Sequence, residues 1–338
     1  MAVSEPLELI EQALRCEDSD RTPVVPLVGL HSSVYSGMKV LDLLHDADAQ
    51  LKSQLMALRK FGYDGVFTCM DLTMEAEALG AGVDFPDNAF PYVRKHPIDE
   101  PLDILELEMP PVVDTRMNVF IDTAEKLVKE VGETHLVSSY MIGPFTLAGH
   151  LLGVEEMLEL SMEEQDQTKA IVGHCQELLV PLLEKFVEVG THNIVILEPT
   201  ASTSIISPRF FQEYSQPYLA KLVDGIQRRG VKATVHICGN TLPIISAMCD
   251  TGADVLSLDS VVDLSEAKVR AKGMSGIMGN VDTSLMLTGN PKEIHDSARD
   301  CLDKAAKGGG YILSTGCDLP LETPPVNLQA LADVVREV

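Results

Sequence analysis

The chain has 338 residues, 45% of them hydrophobic, with mean hydropathy +0.10, enough to bury a large core without disulfide staples. Acidic residues outnumber basic ones 51 to 26, for a net charge of −25, and such a surface repels nucleic-acid backbones and anionic lipid. The seven cysteines show no paired spacing, the N-terminus reads as an amphipathic helix rather than a secretory leader, and no apolar run approaches 18 residues, so the expected setting is the reducing cytoplasm.

In chain order, eight short apolar runs bounded by Gly, Pro or Asp read as buried strands. They are residues 23–30, 64–69, 135–143, 192–199, 232–239, 254–260, 274–281 and 310–317. Helical periodicity falls between them at 47–61, 119–131, 155–188, 208–229, 242–250, 264–271 and 291–307, with a last helix at 328–338. Ser207-Pro208 and Asn290-Pro291 each set a capping residue before a proline at a first helical position, and Gly190 suits a helix end. Strands and helices alternating eight times predict a single α/β domain, a TIM-type (β/α)₈ barrel with a parallel sheet inside. Residues 70–118 are too long for a simple connection and read as an excursion that caps the barrel mouth or makes an oligomer contact.

In such a barrel the chemistry gathers at the C-terminal ends of the strands. The run "VHICGN" at 235–240 places His236 and Cys238 two residues apart, so both side chains face one side. Cys317, in "STGC", ends the last predicted strand just after a glycine. His, Cys and Cys together are the ligand complement of a catalytic zinc with one open position. Spacing alone leaves a metal site and ordinary buried side chains equally open, because the two strands are not neighbours.

The motifs "RTPVVPLV", "GPFTLAGHLLG", "EPTASTSIISPRFFQEYSQPYL", "HICGN", "GNVD" and "GC" before "TPPVN" resemble those of the uroporphyrinogen decarboxylase superfamily. Within it, the chain resembles the zinc-dependent methylcobamide:coenzyme M methyltransferases, and the resemblance spans nearly the whole length. It implies zinc held by His236, Cys238 and Cys317, a small thiol substrate such as coenzyme M at the open position, and a methylated corrinoid carried by a partner protein as methyl donor. Transfer to tetrahydrofolate or another acceptor, and a non-catalytic corrinoid- or metal-binding barrel, are the alternatives. Decarboxylation is disfavoured, because residues 28–37, "VGLHSSVYSG", contain no arginine to receive a polycarboxylate.

Other polar residues fall at predicted strand ends. Glu198 is a candidate fourth ligand or proton acceptor, beside a helix-capping alternative, and Asp259 has a similar place on the other side. Asp71, Tyr140 and Asn240 are candidates to line the substrate or cofactor pocket, beside ordinary loop roles.

Overall fold

The computed structural model describes residues 5–336 apart from 18 and 88. Residues 1–4 of the expected N-terminal helix and 337–338 of the expected last helix lie outside the described residues. Seven strands form one parallel sheet: β1 (Gly65–Phe67), β4 (Leu136–Ile142), β5 (Asn193–Leu197), β6 (Lys232–Ile237), β7 (Val255–Leu258), β8 (Gly276–Val281) and β9 (Tyr311–Thr315), paired in that order. The remaining two, β2 (Gly82–Asp84) and β3 (Tyr92–Lys95), make a separate antiparallel hairpin in the excursion.

The first expected strand is reduced to a single parallel bridge, Val24 to Leu313. Pro23 and Pro26 remove two ladder donors, so the segment cannot propagate as a strand. It nevertheless spans the gap between the sheet edges. Leu313 N–H donates to Pro23 O (2.9 Å) and Val25 N–H to Leu313 O (2.8 Å), while on the other side Asp64 N–H donates to Val24 O (2.8 Å). The sheet therefore curls round an eight-membered (β/α)₈ barrel in which one stave is irregular.

Parallel strands buried on both faces explain the near-continuous apolar runs. Val25, Leu27, Phe67, Tyr140, Val195, Leu197, Val255, Met278 and Ile312 pack inside the barrel, and a larger apolar layer lies between the strands and the outer helices. Helix starts follow local chemistry. Asn290 Oδ1 accepts from the Lys292 and Glu293 amides while Glu293 reaches back to the Asn290 amide, and Ser207 Oγ accepts from Phe210 N–H.

Several helical readings change. The run 155–188 is broken into Val154–Glu163, Gln165–Leu178 and Val180–Glu188, the last with Pro181 in its first turn, where its missing N–H is harmless. A further helix spans Pro144–Leu152, directly after β4. Within the excursion, Arg116 is the anchor. Its guanidinium bonds the Asp71 carboxylate, Glu77 Oε2 (2.5 Å) and Thr73 Oγ1 (3.0 Å), and lies over the Phe85 ring at 4.9 Å. Among the described residues, no helix is long and apolar enough to cross a membrane.

Candidate metal centre

β6 carries His236 into the barrel, because its register opposite Leu197 and Ser257 puts all three on the inner face. Cys238 follows just beyond the strand end, and Gly239 (φ +79°) turns the chain there in a conformation that favours glycine. Asp259 Oδ2 accepts the Gly239 amide at 2.7 Å, and the hydroxyls of Ser202 and Ser204 crowd the space a Cβ at 239 would take. Cys317 arrives after β9 on Gly316, which lies so close to Ser260 that a Cβ would stand 2.6 Å from its amide nitrogen. Both cysteines are thus delivered by glycine-dependent turns.

The three ligand atoms converge. His236 Nε2 is 3.3 Å from Cys238 Sγ and 3.7 Å from Cys317 Sγ, and the two sulfurs are 3.8 Å apart. A tetrahedral zinc with Zn–S of about 2.3 Å and Zn–N of about 2.0–2.1 Å separates two sulfurs by about 3.8 Å and sulfur from nitrogen by about 3.6 Å. The trio fits that ion. Among the described residues it is the one group of three or more metal-seeking side chains whose ligand atoms lie within 4.8 Å of one another.

His236 is buried, while both cysteines are partly exposed, so the group opens outward at the barrel mouth. With Nε2 facing the sulfurs, Nδ1–H donates to Ser257 Oγ (3.0 Å), which fixes both ring orientation and tautomer. Burial disfavours the imidazolium, but Cys317, by hydrogen bond and charge, and the Asp259 charge outweigh it and raise the pKa. The two sulfurs lie within hydrogen-bond reach of each other. A hydrogen bond from Cys317 lowers Cys238, and the same bond, with burial, holds Cys317 well above the ordinary thiol range.

Of the other expected site residues, Asp259 supports the centre, Tyr140 lies inside the barrel, and Glu198, Asp71 and Asn240 bond groups outside the trio. Glu198 stands outside the ligand group. Its Oε1 accepts from Phe145 N–H (2.8 Å) at the start of helix Pro144–Leu152 and from the Ser215 hydroxyl (3.2 Å), so it caps that helix from the next strand. Glu198 Oε2 lies against Gly143, where a Cβ would come within 1.5 Å, and burial raises this carboxyl to about 8. Asp259 braces the Cys238 turn and also accepts from Ser260 Oγ (3.1 Å). Asp71 is buried under Arg116, and Asn240 is exposed, with Oδ1 accepting the Leu242 amide. Tyr140 remains inside the barrel, its ring stacked on Phe67 at 5.2 Å and its hydroxyl without a partner.

Sequence reasoning passed over Asp318 as a site residue, although it directly follows Cys317. Both its carboxylate oxygens are buried without a hydrogen-bond partner of good geometry. Burial and the Cys317 charge raise it well above the carboxylate range, against the pull of the Leu319 and Leu30 amides. A cavity of about 810 Å³ lies at the opposite end of the barrel, under helix Pro6–Leu14, with none of the three ligands in its lining. Among the described residues its lining holds no converging group of three metal-seeking side chains.

A family model for uroporphyrinogen decarboxylase (URO-D) matches residues 5–338. The chain belongs to that family. Methylcobamide:CoM methyltransferase MtbA of Methanosarcina acetivorans is 29% identical over 336 residues, covering 98% of this chain and 97% of that protein. Uroporphyrinogen decarboxylase of Psychromonas ingrahamii is 24% identical over 343 residues, covering 97% and 96%. Among solved structures, a methyltransferase from Methanosarcina mazei superposes with TM-score 0.90 over 99% of both chains at 24% identity, which shows the shared fold.

Proposed function

We propose that this methyltransferase moves a methyl group from the cobalt of a methylated corrinoid, carried by a partner protein, to the sulfur of a small thiol bound beside His236, Cys238 and Cys317. Coenzyme M is the acceptor in the names of several relatives. The observation that carries the reading is the spacing of the trio, which matches a zinc with three protein ligands and room for one more. Zinc bound there would lower the pKa of a coordinated thiol from its ordinary value of about 8.5, so that its proton leaves to solvent.

The chain's own residues do the positioning. Ser257 holds the His236 ring, Asp259 holds the turn that carries Cys238, and the Gly316 approach to Ser260 sets Cys317. In the transfer itself, a sulfur lone pair forms the new S–CH3 bond as the Co–C bond breaks. Both electrons of that bond stay on the metal, taking Co(III) to Co(I). No proton moves in this step, because the thiol has lost its proton on binding. A barrel mouth suits an acceptor that must meet a bulky, protein-borne corrinoid, since strand-end loops present the site outward.

A polycarboxylate substrate is poorly matched to this chain. The segment 28–37 has no arginine, and the one buried guanidinium of the excursion, Arg116, is committed to Asp71 and Glu77. The proposal is tested with His236→Ala and Cys317→Ala. Each is expected to lose zinc and methyl transfer together while far-UV circular dichroism is unchanged, and full transfer by a zinc-free Cys317→Ala protein overturns it.

A further inference from the structure

The motif "GNVD" at 279–282 plays no part in the methyl-transfer reading, yet its asparagine is buried at the end of β8, the strand between β7 and β9. Asn280 Nδ2 donates to the carbonyl oxygens of Asp259 (2.9 Å) and Val262 (2.8 Å), and its Oδ1 accepts from the Cys301 thiol (3.7 Å). Two carbonyl acceptors settle which side-chain atom is the nitrogen, and both of its protons are used. The two carbonyls are the ends of one tight turn, since Val262 N–H also donates to Asp259 O (3.0 Å). Asn280 therefore staples the turn 259–262 at both ends.

That turn meets both cysteine segments. Asp259 Oδ2 takes the Gly239 amide behind Cys238, and the Ser260 amide nitrogen is the atom against which Gly316 packs before Cys317. β8 also holds the second segment from its own backbone, where Val281 O accepts the Gly316 N–H at 2.8 Å. Because β6 and β9 are not neighbours, the spacing of their two sulfurs is set across β7 and β8, and Asn280 supplies a side-chain link in that bridge. The position demands two donors on a short stem, which aspartate and serine do not carry and glutamine places one methylene further out. We infer that Asn280 is a positioning residue of the metal centre: it hydrogen-bonds none of the three ligands, and by pinning the turn 259–262 it sets the separation of Cys238 and Cys317 before a metal arrives. This rests on the reading of the trio as a zinc site and extends it to a residue remote from the ion. Removing the staple should cost metal affinity although all three ligands remain.

The test compares Asn280→Ala with Asn327→Ala. Asn327 is a matched control, since its Nδ2 also donates to two backbone carbonyls, Met286 O (2.9 Å) and Gly289 O (2.8 Å), but ties helix Pro325–Asp333 to the end of helix Thr283–Thr288 rather than to a cysteine turn. Zinc affinity is read by chelator competition. Cobalt(II) in place of zinc adds a spectrum, in which sulfur-to-cobalt charge transfer reports the two thiolates and the d–d bands report tetrahedral geometry. Urea unfolding of the metal-free proteins shows what each substitution costs the fold itself. Asn280→Ala is expected to bind zinc about tenfold more weakly and to lose charge-transfer intensity, while Asn327→Ala keeps wild-type affinity and spectrum whatever its stability. Asn280→Ser, which retains one donor, is expected to fall between wild type and Asn280→Ala, and it decides if the alanine variant does not fold. The inference is overturned if the Asn280 variants bind zinc as wild type does, or if Asn327→Ala loses as much affinity. Wild-type protein that binds no zinc defeats the zinc reading and this inference together; wild-type binding with an unaffected Asn280 variant defeats the inference alone.

Discussion

Cys238 Sγ and Cys317 Sγ lie 3.8 Å apart although 79 residues separate them in the chain. β6 and β9 are not neighbours in the sheet, since β7 and β8 intervene. The contact is made by the two turns beyond the strand ends, and each depends on a glycine held against neighbouring serines, Gly239 on Ser202 and Ser204 and Gly316 on Ser260. The metal centre is therefore a property of barrel closure as much as of its ligands.

Closure of this kind makes Gly316 critical. In Gly316→Ala the new Cβ meets the Ser260 amide nitrogen at 2.6 Å, so the Cys317 turn must shift. The expected outcome is weaker zinc binding with the global fold retained. Competition with a chromophoric chelator measures the first and circular dichroism the second.

Ser257 touches no metal, yet it holds His236 through Nδ1. Its replacement by Ala is expected to lower zinc affinity by about 10–100-fold, the usual cost of losing the group that orients a ligand histidine. The same chelator competition reads this out. Unchanged affinity would mean that the ring is fixed by packing alone.

Glu75 gives a pH dependence whose sign is determined. Its side chain is buried, with Oε1 accepting the Ile142 amide (2.9 Å), and burial lifts its pKa from 4.5 to about 8. Below about pH 4.5 the carboxyl is protonated in both folded and unfolded chains, and its contribution to stability is complete; as pH rises towards 8 the unfolded chain ionises first and that contribution is lost. Glu75→Gln stays neutral throughout. The stability of the variant relative to wild type should grow between about pH 5 and 8, by at most about 1.4 kcal/mol per pH unit, and then level off. Urea unfolding across that range measures it.

Arg116 carries a different load. It is 7% exposed at the side chain and pairs with Asp71 and Glu77. Arg116→Ala leaves the fully buried Asp71 carboxylate uncompensated, and a loss of about 3–5 kcal/mol is expected in urea unfolding. A loss below about 1 kcal/mol, the range of exposed pairs, would show that the excursion is not anchored there.

How far the sequence could be read depended on whether a feature was local. His236 and Cys238 are two residues apart, and a period-two argument puts them on one face; Cys317 joined them only as another strand-end cysteine, and the metal site stayed open until the motif resemblance, because no local rule crosses two intervening strands. The apolar strand runs from 64 to 317 were legible for the reason that parallel strands are buried on both sides. Residues 23–30 carried the same apolar signal, but Pro23 and Pro26 withhold the donors a ladder needs, leaving one bridge at Val24. Helix Pro144–Leu152 escaped because every residue except His150 is buried, which erases the amphipathic period. Asp71 looked available in sequence because its partner, Arg116, arrives from 45 residues away. Asp318 carried one local signal, its place beside Cys317, but its lack of partners is visible only in three dimensions.

The most direct test of the central claim is to mix the zinc-loaded protein with methylcobalamin and a thiol, 2-mercaptoethylamine or coenzyme M, and follow cobalt absorbance together with the methylated thioether. The expected result is thiol-dependent demethylation that disappears on chelation, returns with added zinc and is absent in Cys317→Ala. Demethylation that proceeds at the same rate in metal-free protein would contradict it.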